Sequence, residues 1–185
     1  MIGGGKSSKD AELARRFREA TLPHLNDVYS LARYLMRGEG ADDAVQECYL
    51  RALRYFRTFR GPAVKPWLLT ILRNVCRAEL IRRRSLVREL GAETDAEDAI
   101  PLWQDAQPSP EAKLVREHDV DTMSRLVAQL PQALREVIVL REINDLSYEE
   151  IATVVDIPVG TVMSRLARAR SMLRKAWFAE EGVAA

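Results

Sequence analysis

The feature that most constrains the fold lies between Leu146 and Lys175, where the sequence predicts a helix, a tight turn and a second helix. Ser147 and Glu150 have the S-x-x-E spacing of a capping box, which starts a helix at the residue after the serine. Asp156 tolerates a left-handed backbone and Pro158 suits the first position of a helix, so together they predict the turn. DNA-binding proteins use this arrangement to place the second helix in the major groove.

The second of these helices separates an apolar side from a basic side. Residues at helical spacing predict its buried stripe, namely Val162, Leu166, Ala169 and Leu173. The opposite side carries short residues first and cations further on: Gly160, Thr161, Ser164, Ala167, Arg168, Ser171 and Lys175. Because no acid occurs in residues 159–175, this side suits a DNA backbone. A helical hairpin with a solvated basic face would show the same pattern.

The formal net charge of +1 hides an uneven distribution along the chain. Residues 65–88 contain seven Lys and Arg against the single acid Glu79, whereas residues 89–111 contain seven acids and no Lys or Arg. Two basic blocks separated by an acidic one predict two nucleic-acid surfaces and a spacer with another role.

Several classes of function are excluded by what the sequence lacks. Cys48 and Cys76 form neither a CxxC motif nor a disulfide framework, and His24 and His118 are isolated. No nucleophile and base fall into a catalytic pattern, and no metal-ligand spacing occurs. No signal peptide or membrane-spanning apolar run is present. We therefore expect a cytosolic protein that is not an enzyme, with no cofactor, no metal and no membrane insertion.

The first half of the chain predicts three helical segments. Residues 12–36 are interrupted only by Pro23, and a second helix runs from 41 to about 59. Its predicted buried side is Ala44, Val45, Cys48, Tyr49, Ala52, Leu53 and Phe56. An outward stripe consists of Asp43, Glu47, Leu50 and Arg54, with Gln46 beside it. A leucine among charges indicates a docking surface for another protein, or simply one exposed leucine on a helix whose first acids compensate its dipole.

A loop at residues 58–66 precedes the third segment, which is predicted to be helical from Trp67 to Arg84. Its predicted inward residues are Leu68, Ile71, Leu72 and Val75, and its outward residues are Thr70, Arg73, Arg77 and Arg84, with Asn74 at the margin. Arginine binds phosphate bidentately, so the outward stripe suits a nucleic-acid backbone. Trp67 starts the inward stripe, which favours a core position over a role as a stacking platform.

Four segments in this order resemble the bacterial RNA polymerase sigma factors, specifically the small extracytoplasmic-function group. They read DDAVQECYLRALRYFRTFRG, KPWLLTILRNVCRAELIRRR, LPQALREVIVLREINDLSYEEIA and IPVGTVMSRLARAR. Together with their spacing they cover most of residues 13–176. The resemblance implies an all-α fold with a helix-turn-helix in its second domain, and it implies these parts: a flexible N-terminus (1–10), a region 2 domain (11–86), a flexible acidic linker (87–119), a region 4 domain (120–178) and a tail (179–185).

The resemblance also implies roles for individual residues. The set that would dock on the clamp helices of the polymerase largest subunit is Asp43, Gln46, Glu47, Leu50 and Arg54. The set that would melt the −10 element and capture an unstacked base is Phe59, Arg60, Lys65, Thr70, Arg73, Asn74, Arg77 and Arg84. The set that would read the −35 element is Gly160, Thr161, Met163, Ser164, Ala167, Arg168 and Lys175. Position 163 is often basic and 167 often His or aromatic in the family, so Met163 and Ala167 suggest apolar contacts, for example with a thymine methyl group.

Further partners follow from the same resemblance. The second domain would contact the flap region of the polymerase, and an anti-sigma factor would cover both domains. The linker would be held extended by the polymerase, because a flexible coil of residues 85–115 spans roughly 30 Å while two promoter elements two helical turns apart are separated by about 70 Å. A solvated spacer is the simpler alternative for this linker.

The sequence therefore predicts a sigma factor that directs transcription of a stress- or signal-responsive set of genes. One alternative is a two-domain helix-turn-helix regulator that acts without being a polymerase subunit. Such a regulator would need a ligand pocket or a phosphorylation site in its first domain. Another alternative is a protein–protein adaptor whose basic helices meet acidic partners.

Overall fold

A computed structural model of the chain describes residues 4–89 and 112–180. In that part of the chain every regular element is helical, with a 3₁₀ turn at Leu22–His24 and eight α-helices: α1 (Gly4–Thr21), α2 (Leu25–Met36), α3 (Ala41–Tyr55), α4 (Val64–Glu89), α5 (Ala112–Gln129), α6 (Gln132–Glu142), α7 (Tyr148–Val155) and α8 (Val159–Glu180). None of these helices has the length and apolar character needed to cross a membrane.

Helix boundaries differ from the sequence prediction at several places, and α4 runs from Val64 to Glu89 instead of from Trp67 to Arg84. Helix α1 begins at Gly4, inside the segment predicted to be flexible, and residues 4–21 contain no proline that would interrupt it. Helix α3 ends at Tyr55 instead of near 59, since the backbone N–H groups of Thr58 and Phe59 both turn back to the carbonyl of Tyr55. Helix α5 begins at Ala112, inside the predicted linker. Residues 90–111 of that linker and the end of the tail lie outside the described residues.

Helices α2, α3 and α4 form the core of the first domain, and α6, α7 and α8 form the core of the second. Fully buried leucines fill the first core, and branched apolar side chains fill the second: Leu31, Leu35, Leu68, Leu69 and Leu72, then Val137, Leu140, Ile151 and Leu166. The predicted buried side of α3 is correct for Ala44, Cys48 and Ala52 but wrong for Leu53, which is 42 % exposed. At about 100° per residue, position 53 lies opposite Ala44 on the helix.

The two domains pack against each other. Helix α4 contacts α7, and α2 contacts α6. The buried side chains of both domains consequently form one continuous cluster, although each domain contributes its own complete set of helices. This arrangement decides which of the predicted functional residues are free.

Candidate nucleic-acid and protein-docking surfaces

The helix-turn-helix forms as the sequence predicts. The Ser147 amide donates to Glu150 Oε2 at 2.8 Å, and the Glu150 amide donates to Ser147 Oγ at 3.2 Å, which completes the capping box of α7. Asp156 adopts the left-handed conformation with φ 56° and ends α7. Pro158 is the residue immediately before α8 instead of its first residue, and its carbonyl accepts from the amides of Thr161 and Val162.

One side of α8 is buried and the other is open to solvent. Val162, Leu166 and Ala169 are at most 1 % exposed, as predicted for the buried stripe. The predicted reading residues lie on the open side, with Thr161 at its edge: Gly160, Met163, Ser164, Ala167, Arg168 and Lys175. Nothing lies within 4 Å of a Cβ added at Gly160, so this glycine is not required by packing inside the chain. A ligand backbone can therefore approach the start of α8 closely.

The cations of α8 divide into two kinds. The guanidinium of Arg170 donates to Glu142 Oε1 at 2.7 Å and so ties α8 to α6. Among the described residues, Arg168 and Lys175 form no ion pair or side-chain hydrogen bond. The charges of Arg168 and Lys175 are thus available to an external anion.

The loop between α3 and α4 is organised around two aromatic rings. Phe59 packs on Trp67 with ring centroids 4.5 Å apart and an angle of 31° between the planes. Gly61 lies against this pair, since a Cβ at that position would stand 2.8 Å from Phe59 Cε2. Trp67 also packs on Phe56 and against the core, as predicted for a core residue. Its contact with Phe59 joins the loop to that core.

Helix α4 presents fewer free cations than the sequence predicts. Hydrogen bonds from Arg82 and Arg83 lower the pKa of the Glu79 carboxyl to about 2, so this acid holds both arginines at the helix surface. Asn74, Arg77 and Arg84 are exposed and form no ion pair within the described residues. These three residues are the open part of the predicted −10 surface.

The other predicted −10 residues have partners inside the chain. Lys65 Nζ lies 2.9 Å from Asp27 Oδ1, and Thr70 Oγ1 donates to the Pro66 carbonyl. Arg60 donates to backbone carbonyls of its own loop, including that of Phe59 at 2.9 Å. Arg73 was predicted to point outward, but its side chain is only 12 % exposed. Its guanidinium faces Glu136 of the second domain, a contact that residue periodicity within α4 does not reveal.

The outward stripe of α3 forms an apolar ridge bordered by charge. Leu50 is 47 % exposed, and Leu53, which the sequence prediction placed inside, lies beside it. Asp43, Gln46 and Arg54 are exposed in the same region. Glu47 is half-buried and accepts a hydrogen bond from Arg51 Nε at 2.6 Å. Two neighbouring exposed leucines offer a larger apolar area for protein docking than a single leucine would.

A second apolar surface lies in a groove between the two domains, and the sequence prediction named no such groove. The groove has a volume of about 430 Å³, and arginines and one acid stand at its rim. Its lining comes from α2, α5, α6 and α8: Tyr34, Met123, Val127, Ile138, Val139, Ile143, Leu173 and Trp177, with Glu142, Arg170 and Arg174. Four helices contribute to it, which explains why no single periodic stripe indicates it.

The two cysteines lie in the core of the first domain. Burial raises the pKa of the Cys48 thiol and of the Cys76 thiol to about 12. Both therefore stay protonated at neutral pH, and a protonated buried thiol is a poor nucleophile.

Comparison with known proteins gives a consistent result for both domains. Family models match residues 22–86 as sigma-70 region 2 and residues 121–173 as sigma-70 region 4. The chain is 37 % identical over 168 residues to the RNA polymerase sigma-H factor of Pseudomonas aeruginosa, covering 88 % of the chain and 86 % of that relative. It is 35 % identical over 165 residues to the ECF RNA polymerase sigma-E factor of Escherichia coli K12, covering 86 % and 85 %. Among solved structures, the sigma factor RpoE in complex with the anti-sigma factor NepR from Bartonella quintana matches with a TM-score of 0.71 and 25 % identity, covering 88 % of this chain and 97 % of that one.

Proposed function

The chain belongs to the extracytoplasmic-function group of the sigma-70 family of RNA polymerase sigma factors, and we propose how its surfaces divide the work of initiation. The α3 ridge docks on the polymerase core, the α3–α4 loop with α4 opens the −10 element, and α8 reads the −35 element. The observation that carries the proposal is the open face of α8, where Arg168 and Lys175 lack partners within the described chain while a capping box fixes the preceding helix.

Core docking is assigned to α3 because its exposed apolar ridge has the chemistry of a protein interface. Leu50 and Leu53 supply apolar area, and Asp43 and Arg54 supply charges at the border. Interfaces combine an apolar centre with a polar rim in this way. We propose the clamp helices of the largest subunit as the partner of this ridge.

Strand opening is assigned to the loop that follows α3. An extruded base requires a fitted pocket, because unstacking it costs a few kcal/mol. Phe59 and Trp67 offer aromatic faces at the loop, and Asn74 offers amide hydrogen-bonding groups on the adjacent helix. Arg77 and Arg84 extend the same helix with free positive charge for the strand backbone.

The second domain has a further surface suited to the polymerase. The groove of about 430 Å³ that α5, α6 and α8 form together with α2 of the first domain is lined by apolar and charged side chains, as a site for an amphipathic helix requires. We propose that the flap region of the core occupies it. We also propose that the protein works in the cytoplasm without catalysing a reaction of its own, and that an anti-sigma factor is its regulator.

The test is transcription in vitro with purified core polymerase and a genomic DNA pool. The expected outcome is initiation from a defined set of promoters only when the chain and the core are both present. A two-domain regulator would instead bind its sites tightly without the core. Such core-independent binding, with no initiation by the chain–core mixture, would overturn the proposal.

A further inference from the structure

Helix α8 is tied to α6 and α7 through the side chain of Arg170. Its Nη2 lies 2.7 Å and its Nε 3.2 Å from Oε1 of Glu142, the last residue of α6. The same guanidinium hydrogen-bonds to the hydroxyl of Tyr148, the first residue of α7, and the hydrogen bonds to Glu142 and Tyr148 raise the pKa of Arg170. One side chain of α8 therefore contacts an end of each of the two neighbouring helices.

The ring of Tyr148 has a second arginine on its face. Arg141 Cζ lies 5.3 Å from the ring centroid, within the range of a cation–π interaction. Arg141 Nη1 also donates to the Leu146 carbonyl at 2.7 Å, in the loop that leads into α7. Tyr148 follows Ser147, the cap residue of α7, and packs against the core. The start of α7 thus fixes the tyrosine ring, and the tyrosine hydroxyl links that start to α8.

Arg170 and the predicted reading residues lie on different sides of α8. At about 100° per residue, Arg170 lies about 160° from Arg168 around the helix axis. It stands one turn after Leu166, which is buried. Apolar packing is non-directional, so the buried stripe alone would allow α8 to rotate on the core. The hydrogen bonds of a guanidinium require a defined direction, so Arg170 supplies the contact that sets the rotation of α8.

We propose that Glu142, Tyr148 and Arg170 are positioning residues for −35 recognition, and we call the three together the α8 brace. They hold α8 in the orientation in which its open face meets DNA. This role rests on the proposed function, because it requires that α8 reads the −35 element. Without the brace α8 would still reach the productive orientation but would occupy it less often. The apparent affinity would then fall with the competent fraction, while the preferred sequence stayed the same.

A second ion pair of α8 offers a matched control. Arg125 Nη2 lies 2.6 Å from Oε2 of Glu180, so this pair joins the last residue of α8 to α5. The side chains of both ion pairs are between 32 % and 51 % exposed, and half-exposed pairs contribute only modestly to stability. Glu142→Gln and Glu180→Gln each remove one negative charge, but only Glu142 belongs to the brace.

The first experiment measures the affinity of the chain–core complex for a promoter fragment with the preferred −35 element. Loss of a negative charge favours DNA binding by electrostatics, so Glu180→Gln should bind as tightly as the wild type or more tightly. Glu142→Gln should instead bind about threefold more weakly, if the competent fraction falls to about a third. The exchange Glu142→Arg with Arg170→Glu should recover most of the affinity, because it forms the ion pair again. Binding by Glu142→Gln that is as tight as binding by Glu180→Gln would overturn the proposal.

The second experiment uses Tyr148→Phe, which tests the brace without a change of charge. This variant loses the hydroxyl but keeps the ring under Arg141, so urea unfolding should show a folded protein even if Glu142→Gln does not fold. Its affinity should fall, while the dependence of affinity on salt should keep the same slope because no phosphate contact is lost. A lower slope would mean that Tyr148 contacts DNA directly, and an unchanged affinity would contradict a positioning role; either result overturns the brace. Failure of the wild-type complex to bind the promoter would instead count against the proposed function, and the brace would fall with it.

Discussion

The ring of Phe59 lies on the indole of Trp67 with 4.5 Å between the ring centroids. The position next to this pair is Gly61, where a Cβ would come within 2.8 Å of Phe59 Cε2. A methyl group at position 61 would therefore displace the phenyl ring and not the backbone. The placement of Phe59 therefore depends on the absence of a side chain at position 61, two residues away.

We expect Gly61→Ala to slow strand opening while it spares formation of the closed promoter complex. In the proposed division of work the loop acts on the opened strand, whereas closed-complex formation depends on the −35 contacts. Permanganate reactivity of the −10 thymines measures opening, and footprinting measures the closed complex. In a Phe59→Ala background the glycine substitution should add little, because the two changes act through one ring. Additive effects of the two substitutions would contradict this coupling.

Asn74→Ala should impair the same step for a different reason. Asn74 is exposed on α4 and offers an amide that can hydrogen-bond a base edge, whereas alanine cannot. Permanganate reactivity should fall without a change in the thermal unfolding of the protein, because the side chain has no packing role. Glu79→Gln on the same helix provides a contrast, since it frees Arg82 and Arg83 and adds positive charge to the surface. Normal strand opening by the Asn74→Ala variant would contradict a role for Asn74 in base capture.

Leu50→Asp and Leu53→Asp should each weaken core binding by at least tenfold. Both side chains are more than two-fifths exposed, so the free energy of unfolding should change by only about 0.5 kcal/mol. Leu25→Asp is the matched control, because Leu25 is 41 % exposed but lies on α2. A pull-down with purified core tests all three. Equal loss in the Leu25 variant would show that the defect is general and not specific to the ridge.

Local sequence determines the helix-turn-helix, so its features were predictable. The capping box and the left-handed Asp156 involve residues within a few positions of one another, and the buried stripe of α8 follows from helical spacing. Leu53 is exposed although it is apolar, because it lies about 180° from the buried Ala44 on the helix. The partner of Arg73 lies 63 positions away, and the apolar groove draws residues from four helices, so no local pattern indicates either of them. The prediction thus fails where long-range packing decides which face is free.

The capping box should contribute measurably to the stability of the second domain. Ser147→Ala removes the hydroxyl that accepts from the Glu150 amide, and such substitutions cost about 0.5–2 kcal/mol. Urea unfolding of the full-length chain measures the effect on the free energy of unfolding. Ser171→Ala, on the exposed side of α8, is the control and should have little effect or be slightly stabilising. Equal stability of the Ser147 variant and the wild type would show that the cap is not needed to start α7.

Gly160→Ala should weaken DNA binding without lowering the stability of the protein. Alanine favours helix over glycine by at most about 1 kcal/mol, and the added Cβ meets nothing within 4 Å in the chain, so the protein should become no less stable. If DNA approaches the start of α8 closely, the same methyl group should weaken binding to the −35 element. Calorimetry and a binding titration on the complete chain–core complex give the two quantities. Unchanged affinity would place the DNA further from the N-terminus of α8.

Arg168 and Lys175 are both free cations on α8, yet substituting them should affect DNA binding in different ways. Arg168 lies about one turn past Ser164, where it can meet a guanine edge bidentately and carry about 1–3 kcal/mol of base discrimination. Lys175 lies almost two turns further on and should meet phosphate. Its loss should weaken all sequences alike and lower the salt slope by about one.

The measurement is binding of the chain–core complex to a randomised −35 element over a range of salt concentrations. Arg168→Ala should flatten the preference at one or two positions, and Lys175→Ala should leave the preferred sequence intact. Arg170→Ala removes the same charge from the same helix, but Arg170 is held by Glu142, so this control should lower stability more than it alters sequence preference. A uniform loss of affinity in Arg168→Ala, with no change in preference, would mean that α8 enters the groove with a different face. In that case Met163 and Ala167 would remain as the candidates for base contact, since both are exposed on the same helix.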